Sequence, residues 1–414
     1  QRLSIPFEER PLMLDSFFLF RDVAPSELLT GTYDQSLVAL SVAIAIGAIV
    51  LMACTVMCLL IANSAFGPAY LDFWHIRVAG LSLEHWVNDA LMAIFFLLIG
   101  LELERELYVG ELSNFRNALL PIVAAVGGIC VPALIHFGLN AGTPTQSGIG
   151  IPMATDIAFA LGALALLGKR IPASLKIFLT ALAVMDDLGA IIVIAIFYTA
   201  KFSLAYLLGA LAVFAGLLVF NRVFRIMALW PYLLGGAGMW FLMYQSGVHA
   251  TIAGVALGLV LNPRIAAKAA HALTPMNNAV ILPLFAFVSA LVIIPEVPIT
   301  ELSPAFWGIT IALPLGKLVG ITLAGTLVAW FITRKAGKNA RQARQTLVTG
   351  WDLITVAAVS GIGFTVSLLM TELAFANDAA LRDEGVLAVL SGSAIAILLG
   401  TVFVVLRARH YRVK

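Results

Sequence analysis

The sequence predicts an all-α integral membrane protein with about twelve transmembrane helices. Three observations predict it. Of 414 residues, 61% are hydrophobic and only 12% are charged, against about 25% charged in an ordinary soluble domain. Mean hydropathy is +1.00, and the apolar residues fall into stretches long enough to cross a bilayer as helices. Lys and Arg then gather on alternate connections between those stretches, the asymmetry expected of loops that face the cytoplasm. The net charge of +2 says less than this placement.

Residues 1–35 mix Glu8, Glu9, Arg10, Asp15, Arg21, Asp22 and Glu27 with the apolar Phe17-Phe18-Leu19-Phe20. They lack the order of a secretory signal and read as a cytoplasmic extension. The transmembrane domain is expected over 36–408, with crossings at 36–66, 86–107, 118–139, 148–168, 173–198, 204–220, 226–244, 247–261, 277–294, 304–333, 347–375 and 385–406. Residues 409–414 read as a cytoplasmic tail. Cys54, Cys58 and Cys130 all fall in apolar stretches without metal-ligand spacing, and so read as small core residues.

Twelve crossings put both termini on one side. That side holds Lys169, Arg170 and Lys176; Arg222 and Arg225; Arg264 and Lys268; Arg334, Lys335, Lys338, Arg341 and Arg344; Arg407, Arg409, Arg412 and Lys414; and Arg2, Arg10 and Arg21. Arg105 and Arg116 join it at the end of the second crossing. The other side has Arg77, Lys201 and Arg382. Lys317 alone is left, inside the tenth crossing. The connection 75–84 alternates apolar and polar residues on each side of Gly80, which predicts a short external β-hairpin. An isolated hairpin is marginal in water, so this one is expected to pair with something, such as its copy on a second protomer.

Most acidic residues lie in loops. Those in or at the ends of crossings are Asp89, Glu102, Glu104, Glu106, Asp156, Asp186, Asp187, Asp352 and Glu372, and the deep ones are Asp156, Asp186 and Asp187. A charge at such depth is costly and marks a functional site by default. Asp186 and Asp187 are adjacent, so on a helix they point about 100° apart. Repulsion and burial both favour a proton on one of them. A carboxyl group that gives up its proton there can coordinate a small hard cation, which prefers oxygen ligands. The alternative is a structural charge pair closing a helix contact. Lys317 is the natural counter-charge for one of the two, because the glycines of Gly316-Lys317-Leu318-Val319-Gly320 allow close helix approach. The alternative is a lysine reaching back to the interface.

Asp156 follows Pro152, which removes a backbone donor and disfavours helix at Ile151. A break there would leave two half-helix ends inside the membrane, as in transporters whose discontinuous helices line ion sites and recur in a matching half. The match is 359–367, where Gly361, Gly363 and three hydroxyl residues, Thr365 among them, interrupt the eleventh crossing. Asp156 would neutralise the facing N-termini and Lys317 the facing C-termini. A proline-kinked continuous helix is the alternative. Glu102 and Glu106 share a helix face; they are either an acidic mouth that attracts cations or a solvated helix end. His249 and His271 titrate near neutral pH when unperturbed and are either functional or structural.

These residues resemble the bacterial NhaA sodium/proton antiporters. The similarity runs from about Ile61 to the C-terminus. It is carried by Trp86-Val87-Asn88-Asp89-Ala90-Leu91-Met92, Ala154-Thr155-Asp156-Ile157-Ala158-Phe159-Ala160, Asp186-Asp187-Leu188-Gly189-Ala190, Gly247-Val248-His249-Ala250-Thr251, Ile281-Leu282-Pro283-Leu284-Phe285-Ala286-Phe287 and Gly361-Ile362-Gly363-Phe364-Thr365. The resemblance implies inverted repeats of crossings three to five and ten to twelve, with crossed broken helices at four and eleven. It implies electrogenic exchange of external protons for internal Na⁺ or Li⁺ by alternating access in the inner membrane, activated at alkaline pH, with no cofactor. By the same resemblance Asp186 contacts Lys317, and Asp187 is the essential carrier of cation and proton. Lys317, Asp156 and Thr155 serve charge compensation and coupling. Pro152, Gly361, Gly363 and Thr365 shape the broken helices. Glu102, Glu106 and His249 serve the pH response, to which the residues themselves add His271, and Arg77, Val78, Gly80 and Leu81 form the hairpin of a homodimer. Lipid, Na⁺, Li⁺ and H⁺ are the expected partners, and nucleic acid is not.

The sequence departs from the family pattern in places. Residues 1–35 are longer than usual, Leu318 stands where a proline is common after the lysine, and Val288-Ser289-Ala290 replaces Ala-Asn-Ala. The stretch 269–275 lacks an acidic residue and a second histidine. Two other classes fit less well. An intramembrane aspartyl protease needs two carboxylates facing across a gap, which neighbours on one helix do not do. A channel would have no use for a deep lysine beside its cation path.

Overall fold

The computed structural model describes residues 32–165, 173–199, 202–224, 228–295, 297–335, 348 and 350–412. Residues 1–31 of the expected extension, and Arg2, Arg10, Arg21, Lys169, Arg170, Lys201, Arg225, Lys338, Arg341, Arg344 and Lys414 with it, lie outside the described residues. So do the side chains of Arg116 and Arg412.

The described chain is mostly helical. In a bilayer every backbone N–H and C=O must be satisfied within the segment, and these sequences do so as α1 (Thr32–Ala62), α2 (Gly67–Trp74), α3 (Met92–Tyr108), α4 (Phe115–Asn140), α5 (Ile157–Ala165), α6 (Ala173–Phe197), α7 (Leu204–Arg222), α8 (Trp230–Ser246), α9 (Ile252–Val260), α10 (Pro263–Met276), α11 (Leu282–Ser289), α12 (Pro304–Ile311), α13 (Lys317–Lys335), α14 (Trp351–Val359), α15 (Phe364–Ala374) and α16 (Ala379–Arg412). Seven helical stretches are long and apolar enough to cross a membrane, or ten if each bent pair is one span. The two expected crossings outside that number are α8, with 17 residues, and α9, with 9, too short at 1.5 Å per residue to meet the bilayer core unaided.

Two boundaries depart most in kind from expectation. The first crossing does not run on to Phe66: it turns through 116° between Ala62 and Gly67, where Pro68 sits in the first turn of α2. The helix of the ninth begins earlier than expected, because 269–275 is helical within the candidate span Pro263–Ser289. Cys58 is buried as expected, but Cys130 is exposed; an apolar stretch in a membrane protein turns some of its residues outward to lipid. The hairpin forms as expected. β1 (Arg77–Val78) and β2 (Leu81–Ser82) pair antiparallel, Arg77 opposite Ser82 and Val78 opposite Leu81. The turn needs positive φ at Ala79 (53°) and Gly80 (90°), the geometry that suits strand twist. Trp86 Nε1 donates to the Val78 carbonyl at 2.9 Å and holds the hairpin to the bundle.

Two interruptions organise the middle of the molecule. A 3₁₀ stretch, Pro144–Met153, ends in extended residues before α5, with a bend of 43°; α14 and α15 are separated by Ser360–Gly363 with a bend of 50°. The two breaks touch. A Cβ on Gly363 would lie 2.4 Å from Ser367 Oγ and 3.1 Å from the Ala154 carbonyl, so a larger residue would have to displace Ser367 and press on the other break. The apolar core is in two parts. One gathers around the breaks and takes in α4, α6, α12, α14, α15 and α16. The other joins α3, α7, α8, α9 and α10, with α3 and α9 contributing to both through Met92, Phe96, Ile99 and Val255. Within the first, α4 and α13 approach backbone to backbone: a Cβ on Gly320 would lie 2.2 Å from the Gly127 carbonyl oxygen. That contact brings the start of α13, and Lys317, to the side of α4 that faces α6.

Candidate ion-exchange site

Asp186 and Asp187 sit halfway along α6 and are 0% and 3% exposed. Their surroundings are unequal. Asp186 Oδ2 accepts from Lys317 Nζ at 2.7 Å and from Thr155 Oγ1 at 2.8 Å, and Lys317 is itself 0% exposed. The deep lysine is therefore paired and does not reach the interface. Of the two acids it could have met, it meets Asp186. Asp186 Oδ1 and Asp187 Oδ1 are buried without a hydrogen-bond partner among the described residues. Asp187 has for electrostatic neighbours Asp186, Glu102, Asp156 and Lys317.

Thr155 joins the acid pair to the breaks. Its hydroxyl lies 2.8 Å from Asp186 Oδ2 and 2.9 Å from the Ser360 carbonyl, at the C-terminal end of α14. One proton serves two acceptors, so a change at Asp186 is felt at the break. Asp156 crosses in the other direction. Its Oδ1 accepts from the Phe159 backbone N–H at 3.1 Å, in the first turn of α5. Its Oδ2 accepts from Thr365 Oγ1 at 2.7 Å and the Thr365 N–H at 3.2 Å, in the first turn of α15. One carboxylate thus caps two helix N-termini, where anions are favoured. The Asp156 N–H donates to the Ile362 carbonyl at 2.6 Å, and Ser367 Oγ donates to the Ile151 carbonyl beside Pro152 at 2.7 Å. Asp156→Ala is expected to lower stability by about 1–3 kcal/mol, because three buried donors lose their acceptor; Asp156→Asn, which keeps one acceptor oxygen, should cost less. Thermal unfolding of the purified variants checks the order.

The acidic run of α3 is not a solvated helix end. Glu104 and Glu106 are 6% and 8% exposed, and Glu102 is half-buried. Glu106 Oε2 accepts from the Glu111 N–H at 3.1 Å, and Glu104 lies within electrostatic reach of Arg222. The structure brings Asp186, Asp187, Lys317, Thr155 and Asp156 together and places Glu102 beside them. It does not bring His249 or His271. His249 Nδ1 is 2.7 Å from Thr251 Oγ1, with Nε2 3.5 Å from Asp89 Oδ1. His271 is exposed on α10. Sequence reasoning missed the Ser360 and Ile362 carbonyls, which the interruption at Gly361 frees from helical bonding, and the pairing of Asp89 with His249. The only signal for Asp89 was a lone acid near the start of a crossing.

Chemically, the site offers two buried carboxylate oxygens without partners among the described residues and a hydroxyl, next to a cation that already competes for one carboxylate. Hard oxygen donors suit a small hard cation, and adjacent carboxylates suit a proton.

The chain matches the family model described as Na+/H+ antiporter 1 over residues 40–404. It is 57% identical over 365 residues to the Na(+)/H(+) antiporter NhaA of Dechloromonas aromatica (strain RCB), a match covering 85% of this chain and 91% of that protein. It is 49% identical over 364 residues to the Na(+)/H(+) antiporter NhaA of Cytophaga hutchinsonii, covering 86% and 89%. With the Na(+)/H(+) antiporter NhaA 2 of Clavibacter michiganensis subsp. michiganensis it shares 46% over 380 residues, covering 87% and 90%.

Proposed function

The chain belongs to the Na+/H+ antiporter 1 family, and from that premise we propose that it is a transporter, not an enzyme, which exports Na⁺ or Li⁺ in electrogenic exchange for external H⁺. The observation that carries the reading is the unequal acid pair: Asp186 is held by Lys317 and Thr155, while Asp187 has a buried, unpartnered Oδ1. Asp187 holds a proton when no cation is bound. It gives up the proton to take a cation between its own oxygen and Asp186 Oδ1. The bound cation replaces Lys317 as the partner of Asp186, and Thr155 passes the change to the Ser360 carbonyl. Proton and cation therefore exclude each other, which is the condition for exchange.

Twelve crossings fit the ten stretches with α8 and α9 added. The breaks at Pro152 and at Gly361–Gly363 are read as crossed halves of inverted repeats, supported by their mutual hydrogen bonds. Alternating access would move the core around the breaks against the core of α3, α7, α8, α9 and α10. Glu102 and Glu106 lead cations towards Asp187, and with His249 and His271 they set activation at alkaline pH. Both termini face the cytoplasm at the inner membrane, and the hairpin Arg77, Val78, Gly80 and Leu81 pairs with its copy in a homodimer. No cofactor is required. The test is sodium uptake into proteoliposomes driven by a pH gradient. The protein should move Na⁺ only when a proton gradient is imposed; uptake indifferent to the gradient would point to a channel.

A further inference from the structure

A helix that meets a proline loses one backbone donor and must adjust. Before Lys317 the adjustment is a π-turn: Ala312–Gly316 lies between α12 and α13, with Pro314 at its centre. A π-turn inserts one residue into an α-helix. Without it, everything beyond would be rotated by about 100° relative to the preceding helix. Lys317 is the first residue beyond it. The turn is held on both sides. A Cβ on Gly316 would lie 2.7 Å from Pro132 Cα of α4. A Cβ on Gly361, in the break before α15, would lie 3.1 Å from the Leu313 carbonyl oxygen and 3.1 Å from Pro314 Cα. Ala312, Leu313, Pro314 and Gly316 are all buried. The turn therefore packs on the same break whose Ser360 carbonyl shares the Thr155 proton, and it carries the lysine that shares Asp186 with Thr155.

We propose that Pro314 is a positioning residue for the exchange: it keeps 312–316 in the π form, and the inserted residue is what aims Lys317 at Asp186. The proposal rests on the antiport reading above. Pro314 does not touch the ion site and acts through Lys317 alone. An N–H restored at position 314 lets the turn close as α-helix, and Lys317 then leaves Asp186.

The test is Na⁺-dependent proton exchange by Pro314→Ala, made alone, together with Lys317→Met, and together with removal of Leu315. Pro314→Ala alone should shift the apparent half-saturation for Na⁺ by at least about threefold, the scale of coupling between groups in one network. In the Lys317→Met background the same substitution should add no further shift. Removing Leu315 as well takes out the inserted residue, keeps Lys317 in phase, and should return the half-saturation to the wild-type value. A shift that persists without Lys317, no shift in folded Pro314→Ala, or no return on removing Leu315 would overturn the proposal. If Pro314→Ala does not fold, the variant that also lacks Leu315 decides: wild-type exchange supports the proposal and inactive folded protein refutes it. If the unaltered protein exchanges no Na⁺, the antiport reading is what fails. Melting temperatures then decide the aim of Lys317, since Pro314→Ala should lower that of the wild type by more than it lowers that of Lys317→Met; equal losses would refute the aim.

Discussion

Asp187→Asn is expected to abolish exchange and leave the chain folded. The side chain has a buried Oδ1 with no hydrogen-bond partner, so asparagine breaks no bond that holds helices together. What it removes is the negative charge, and with it the ability either to take a proton or to bind a cation. Losing about 3 kcal/mol of charge-assisted interaction corresponds to at least about a hundredfold in rate. Sodium flux in proteoliposomes measures the loss, and thermal unfolding should show Asp187→Asn within about 0.5–1 kcal/mol of the wild type, as for a change that breaks no network. The neighbouring substitution behaves differently. Asp186→Asn leaves the Lys317 ammonium buried without its counter-charge, so it should destabilise the fold as well as disturb transport.

Lys317→Met is expected to have the largest effect on stability. Both members of the 2.7 Å pair are 0% exposed. Removing one partner of a buried pair typically costs about 3–5 kcal/mol, because the other charge stays buried and unpaired, whereas replacing both by neutral groups is often close to neutral. The double variant Asp186→Asn/Lys317→Met should therefore recover most of the stability that Lys317→Met loses. Transport should not follow stability. Lys317→Met retains Asp187 and should still exchange, with altered coupling, because the cation no longer has to displace an ammonium group from Asp186. The double variant, stable but short of one carboxylate, should exchange poorly. Melting temperature and sodium flux, measured together on the three variants, check this separation.

Much of this site was legible before the fold, for reasons that can be stated residue by residue. In an apolar chain each deep charge is expensive, so Asp156, Asp186, Asp187 and Lys317 stood out, and elimination left Lys317 as the one deep cation. Pro152 and the pair Gly361–Gly363 announced the breaks, because neither sequence can continue a helix undisturbed. Which acid Lys317 meets was not legible from the residues alone. It depends on the rotational setting of α13 against α6, in which the π-turn before Lys317 and backbone contacts such as Gly320 on Gly127 both take part. The hydrogen bonds between breaks, from Thr155 to the Ser360 carbonyl and from Thr365 to Asp156, depend on where two distant stretches come to rest. The π-turn at Ala312–Gly316 left only Pro314 as a hint. Burial was the weakest inference. Cys130 looked like core and is exposed, while Glu106, left open between an acidic mouth and a solvated end, is buried. Hydropathy in a membrane protein reports the membrane and not the side of the helix that meets protein.

In the proposed exchange one group, Asp187, trades a proton for a cation. Proton release from the purified protein on addition of Na⁺, followed across pH in weakly buffered solution, tests it most directly. Na⁺ is expected to release protons from the wild type, more weakly from Asp186→Asn, and not at all from Asp187→Asn that remains folded. Proton release from Asp187→Asn equal to that of the wild type would contradict it.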